Sequence, residues 1–136
     1  MTLPALRHAA RFSLALVWLG EGIGLKLWLR DPTELAIVAA SGLWWPTPEA
    51  TLVAIGVLEA AAGAVLLVGY RERLAVAVTT AAMCAITLGV VWTDPTTLLA
   101  PLTGVLKNSA VAVCGALVWV LADPALATPS VRPALR

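Results

Sequence analysis

Five side chains in this sequence are of types that do chemistry and stand where such side chains are rare: Glu21, Lys26, Glu59, Lys107 and Asn108, each inside a long apolar run. An ionised group at the centre of a membrane helix costs about 2.5 to 3.5 kcal/mol, and each neighbouring Leu, Ile or Val returns about 0.3 to 0.6. Such residues persist where they pair with one another or face a polar cavity. Buried carboxylates can accept hydrogen bonds or carry protons, and Lys and Asn can donate to a carbonyl or an anionic group. Trp18 lies mid-span, away from the interfaces that tryptophan prefers, and an inward indole there could stack on a ring.

The elements that must position these residues are membrane helices. Of the 136 residues 60% are hydrophobic and 12% charged, with a mean hydropathy of +0.91, whereas soluble domains carry about 25% charged residues. A hydrocarbon core about 30 Å thick needs roughly 20 apolar residues per helix. Four stretches meet this, at 9–29, 49–69, 74–92 and 99–122. The fold expected is an all-α integral membrane protein, a four-transmembrane-helix bundle occupying 1–123 as a single domain. Asp31-Pro32-Thr33-Glu34 is a helix start, so a short interfacial helix is expected over 32–41, ended by Gly42. Asp94-Pro95 repeats the device before the fourth span, where Pro101 should kink the first turns. The tail 124–136 holds three prolines and no periodicity, and is expected to be disordered.

Orientation follows from Lys and Arg, which stay cytoplasmic in short loops. With four spans, Arg7, Arg11, Arg71, Arg73, Arg132 and Arg136 share one side, which places both termini in the cytoplasm. Trp28, Trp44, Trp45 and Trp92 mark the outer boundary; Tyr70 and Trp119 mark the inner one. Arg7 and Arg11 before an apolar run resemble a signal peptide, but Glu21 interrupts the run and no small-residue cleavage site follows.

At 1.5 Å per residue from the inner helix ends, Glu59 lies about 15 Å up, Glu21 about 18, Lys107 about 22 and Lys26 about 25. The four charges occupy one slab and sum to zero, as an internally paired cluster should. Glu21 and Lys26, five apart, do not share a face of an α-helix, so each should find its partner on another helix. Either glutamate is a candidate partner for Lys107, and Lys26 either joins the cluster or snorkels to the outer interface. Gly56 and Gly63 flank Glu59, Gly20 and Gly24 flank Glu21, and Thr103, Gly104 and Ala110 flank Lys107, giving small faces along which helices can approach. The third span has only Thr79, Thr80, Thr87 and Cys84 as polar residues and reads as the partner that closes the bundle.

Several functions are excluded. A formal charge of +1, from nine basic and eight acidic residues, leaves no field for nucleic acid. Cys84 and Cys114 have no CxxC or CxxH spacing and read as small core hydrophobes; His8, among arginines, reads as uninvolved. No metal or cofactor motif is present.

Arg11, Trp18, Glu21-Gly22 and Lys26, Gly56-Val57-Leu58-Glu59, Asp94-Pro95 and Pro101-Leu102-Thr103-Gly104-Val105-Leu106-Lys107-Asn108 together resemble the DoxX-like family of small four-helix bacterial membrane proteins, over about residues 9–121. The resemblance implies a four-helix bundle located in the inner membrane of a bacterial cell. The family is named after a small membrane subunit of a thiosulfate:quinone oxidoreductase, which implies a possible redox protein partner. This chain shows no haem ligand pair, flavin or iron–sulfur motif, so any electrons would come from the partner's cofactor.

The reading that follows is a protein whose intramembrane cluster of Glu21, Glu59, Lys107 and Asn108, with Trp18, binds a lipophilic small molecule of quinone or isoprenoid type, as an accessory subunit or alone. Two alternatives stand beside it: a structural protein whose ion pairs hold the bundle, and a membrane-embedded isomerase or hydratase with Glu21 or Glu59 as general acid and Lys107 orienting the substrate. The lipid bilayer is the one certain partner; a homo-oligomer is compatible with the sequence.

Overall fold

A computed structural model describes residues 2–93 and 104–123, with side chains at all of these except 104–106. Among the described residues the structure is helical throughout. Helix α1 (Leu3–Leu19) runs without a break into a π-helical segment (Gly20–Leu29); α2 (Pro32–Ser41), α3 (Pro48–Val68), α4 (Glu72–Thr93) and α5 (Gly104–Leu121) follow. Three helices, Leu3–Leu29, Pro48–Val68 and Glu72–Thr93, are long and apolar enough to cross a membrane, and Lys107–Leu121 is a shorter apolar helix. The expected start of the fourth span at Asp94-Pro95, the kink at Pro101, and the tail 124–136 lie outside the described residues.

Local chemistry sets the ends. Thr2, Asp31 and Thr47 each accept a backbone N–H of the first turn, and each is followed by a proline in that turn, where the missing N–H costs nothing. The Thr2 cap carries the first helix six residues further toward the N-terminus than the apolar run begins. Gly42 (φ 67°) and Gly69 (φ 80°) stop α2 and α3 in the left-handed region that glycine enters freely. The short helix expected over 32–41 occupies those residues.

Consecutive long helices are neighbours, and α5 returns to pack on α1. The π-segment lies along α3, and α2 crosses the outside of α3 and α4. A narrow core runs down the middle, built from Leu14, Ala15, Trp18, Leu66, Val76, Met83, Val111 and Val118. Outside it, large apolar side chains such as Leu16, Leu58, Val68 and Leu88 are exposed on the helix faces, the surface a bilayer covers. Trp28, Trp44, Trp45 and Trp92 are exposed near one end of the helices. Tyr70 and Trp119 are exposed at the end that holds the α3–α4 turn, and Trp18 is buried.

The closest helix contact is between the π-segment and α3. A Cβ on Gly22 would stand 2.6 Å from Ala60 N and Gly56 O, and one on Gly56 would stand 2.8 Å from Lys26 Cβ. A Cβ on Gly63 would meet Leu19 Cγ at 2.7 Å. Gly56 and Gly63 thus act as expected. Gly20 and Gly24 do not, because nothing lies within 4 Å of a Cβ at either; the close approach on that side belongs to Gly22.

Candidate functional site

Glu21 and Lys26 both lie in the π-segment, and this changes how they relate. In an α-helix residues five apart point about 140° away from each other. A π-helix closes its hydrogen bonds between residues five apart, as Arg30 N–H does on Leu25 O, and so brings such residues toward one face. Lys26 Nζ is accordingly 3.8 Å from Glu21 Oε2. The expectation that the two would not share a face is corrected by the wider helix.

Lys26 is the hub. It is only 6% exposed, so the snorkelling alternative falls. Its ammonium stands 3.0 Å from Glu59 Oε2 and 3.3 Å from Glu34 Oε2. Glu59 is held facing it because Gly56, one turn earlier on α3, admits the Lys26 stem against the helix backbone. Glu21 bridges the two cations, with Oε1 2.5 Å from Lys107 Nζ on α5. Lys107 therefore belongs to Glu21 and Lys26 to Glu59. Asn108, beside Lys107, donates from Nδ2 to Thr87 Oγ1 on α4 at 2.7 Å. The helix expected only to close the bundle thus supplies a polar group to the site.

These groups line a cavity of about 150 Å³. Trp18, Glu21, Lys26, Glu59, Lys107 and Asn108, all named by the sequence, are in its wall; so are Glu34, Ile37, Met83, Ile86, Thr87 and Val90. One part of the wall is charged, and the part made by Ile37 of α2 with Ile86 and Val90 of α4 is apolar. The Trp18 indole N–H is buried and, among the described residues, has no hydrogen-bond partner; Glu59 Oε2 faces Lys26 without a hydrogen bond of good geometry.

Glu34 overturns the neutral charge count, since three carboxylates now stand against two ammoniums. It arrives through α2, whose cap is Asp31. The Asp31 carboxylate accepts N–H bonds from Thr33 at 2.7 Å and from Glu34 at 3.3 Å, and these bonds hold its pKa below the usual 3.8. Glu34 reads locally as a first-turn residue of a capped helix, and only the fold-back of α2 across α3 and α4 turns it into a site residue.

A second cluster sits at the other end. Glu72, buried at the start of α4, receives Arg7 Nε at 2.8 Å on Oε2 and the Arg11 guanidinium on Oε1. The i, i+4 spacing of Arg7 and Arg11 is the signal that would have found it, because it puts both on one face of α1. Cys84 is exposed, not a core residue, while Cys114 is half-buried against the core; His8 is exposed. Thr103 lies outside the described residues, and Ala110 is exposed, away from the site. Among the described residues no group of three His, Cys, Asp or Glu converges as metal ligands would.

Residues 15–120 match the DoxX-like family. No curated protein and no solved structure matches the chain.

Proposed function

The chain belongs to the DoxX-like family and is a membrane protein, and on that premise we propose that it is a four-span bundle of a bacterial inner membrane, with cytoplasmic termini, whose polar cavity binds the head of a lipophilic small molecule. The observation that carries this reading is the meeting, in one cavity, of charged side chains from four helical segments with Trp18, whose buried indole N–H has no acceptor among the described residues. A cavity of about 150 Å³ is the size of one six-membered ring. Drug-sized ligands need about 300 Å³ or more, so only a head group fits, and its tail must lie elsewhere.

The wall is suited to a ring with oxygen at its edge. Trp18, Lys107 and Lys26 offer donors to carbonyl oxygens, and Glu21, Glu34 and Glu59 accept from hydroxyls. An apolar tail would leave past Ile37, Ile86 and Val90, between α2 and α4, toward the lipid. A quinone or quinol head has this chemistry, and an isoprenoid tail matches this exit. Redox chemistry, where it occurs, is supplied by a partner protein.

Native mass spectrometry of the protein released from its own membrane in mild detergent tests the reading. The wild type should carry a small molecule that both Glu59→Gln and Lys107→Ala lose. An empty protein, or the same bulk lipid on all three, would leave the cluster as ion pairs that only join helices.

A further inference from the structure

The end of the molecule away from the polar cavity holds a second hollow, of about 470 Å³, between the N-terminal part of α1, the turn Gly69–Arg71 and the start of α4. Its wall includes Arg7, Arg71 and Arg73 and a single carboxylate, Glu72. That carboxylate is already committed. Arg7 and Arg11 occupy its two oxygens, so two guanidiniums share one negative charge and an excess of one positive charge remains there.

Arg71 adds to this excess, and Arg73 brings a guanidinium whose charge Asp123 balances. Arg71 makes no ion pair among the described residues and lies 5.6 Å from the Tyr70 ring centroid. Arg73 reaches Asp123 Oδ2 only at 4.0 Å, with both side chains 43% exposed. Its guanidinium is 4.6 Å from the Trp119 ring centroid, and its Nε is buried without a partner among the described residues. Two exposed aromatics at this level and exposed Val68, Leu74 and Val78 running away from it along α3 and α4 complete the surroundings.

A general excess of arginine at one membrane face needs no hollow and no converging donors. This face has a hollow with three arginines in its wall, together with exposed aromatics and exposed apolar side chains on the adjoining helices. Guanidinium forks match phosphate oxygens, and basic hollows between membrane helices suit anionic head groups. We propose that the hollow binds the phosphodiester head group of an anionic phospholipid, with Arg71 and Arg73 donating to the phosphate and the acyl chains lying along Val68, Leu74 and Val78.

The test compares phosphatidylglycerol with phosphatidylcholine on the full chain in detergent, by native mass spectrometry of retained lipid and by melting with each lipid added. The wild type should retain phosphatidylglycerol about tenfold over phosphatidylcholine, the order expected of one or two guanidiniums at an anionic head group. The double variant Arg71→Gln with Arg73→Gln, which leaves Glu72 and its two partners in place, should melt like the wild type without lipid and lose the preference. Equal retention of the two lipids by the wild type overturns the proposal, whether or not the variant folds. So does an unchanged preference in a folded variant. Stabilisation by millimolar inorganic phosphate equal to that by phosphatidylglycerol would assign the hollow to a free anion and overturn the lipid.

Discussion

At one end of the helices a single carboxylate, Glu72, is gripped by two arginines; at the other, three carboxylates and two ammoniums surround a cavity. In the first arrangement each Glu72 oxygen has its donor, while Arg11 Nε is buried without a partner among the described residues and Arg7 and Glu72 border the second hollow. The second has more carboxylates than cations, and beside them the buried Trp18 indole N–H has no acceptor among the described residues. Both are intramembrane or near-membrane ion clusters, and the presence of charge alone does not tell them apart. What separates the two is the balance of charge: one carboxylate held between two guanidiniums has its acceptors taken, whereas three carboxylates among two ammoniums around a cavity leave acceptors for a ligand.

The sharpest way to break this contrast is at Glu72. Removing one member of a buried ion group leaves the others uncompensated, at a cost of about 3 to 5 kcal/mol. Glu72→Ala should fall near the lower end, about 3 kcal/mol, because Arg7 is 35% exposed and can turn to water. Thermal melting in detergent should show the loss, with no change in any molecule bound at the far cavity once the protein is folded at low temperature. A wild-type melting midpoint would mean that the tight cluster is not what holds α1 to α4.

The next largest effect concerns what positions the open cluster. In Gly22→Ala the new methyl would stand 2.6 Å from backbone atoms of α3, which cannot move out of the way as a side chain could. Overpacking of this kind costs about 1 to 3 kcal/mol. Prising the π-segment from α3 should also weaken ligand retention, since Lys26 and Glu59 face each other across that contact. Gly24→Ala, with nothing within 4 Å, is the control and should be silent. Equal effects at the two glycines would show that the helix pair is not held at backbone distance.

The contrast also marks what was legible in the sequence. Depth along the apolar runs put Glu21, Lys26, Glu59 and Lys107 in one slab, and all four line one cavity, because rise per residue is fixed and charges in lipid have few places to go. The pairing was not legible in full. It rests on a π-helical register at Gly20–Leu29, and a periodicity of 3.6 assigns Glu21 and Lys26 to different faces. Glu34 and Thr87 were missed for another reason: each has an adequate local explanation, as a first-turn acid and as an ordinary helix threonine. Their roles arise only when α2 folds across its neighbours and α4 meets α5. The helix boundaries were easier, because caps such as Asp31-Pro32 and Thr47-Pro48 act locally, and the short helix α2 falls on the expected residues.

Glu59→Gln sharpens the comparison from the other side. The amide keeps an acceptor for Lys26, and Lys26 keeps Glu34 and Glu21, so the change removes charge from a cluster already rich in carboxylate. Its cost to folding should be about 1 kcal/mol or less, the scale of one hydrogen bond. Its effect on retention of the bound molecule should be far larger than its effect on melting. A destabilisation as large as that of Glu72→Ala, with retention unchanged, would make the two clusters alike and remove the distinction drawn between them.

The smallest effect should come from Asp31, which touches only the open cluster and only through α2. Its pKa is lowered by the N–H bonds of Thr33 and Glu34, so the cap's stabilisation is present above the unfolded value near 3.8 and is lost as pH falls through the lower folded value. Hydrogen exchange at the Thr33 and Glu34 amides, normalised to intrinsic rates, should lose protection below about pH 3.8 in the wild type. Asp31→Asn, whose side chain caps without titrating, should lack that component while the turn around Glu72 responds alike in both proteins. Because Glu34 is carried on this turn, a pH-dependent loosening confined to α2 would mean that one wall of the cavity can be released without disturbing the other cluster. An identical profile in the two proteins would mean that packing across α3 and α4, not the cap, keeps Glu34 beside Lys26.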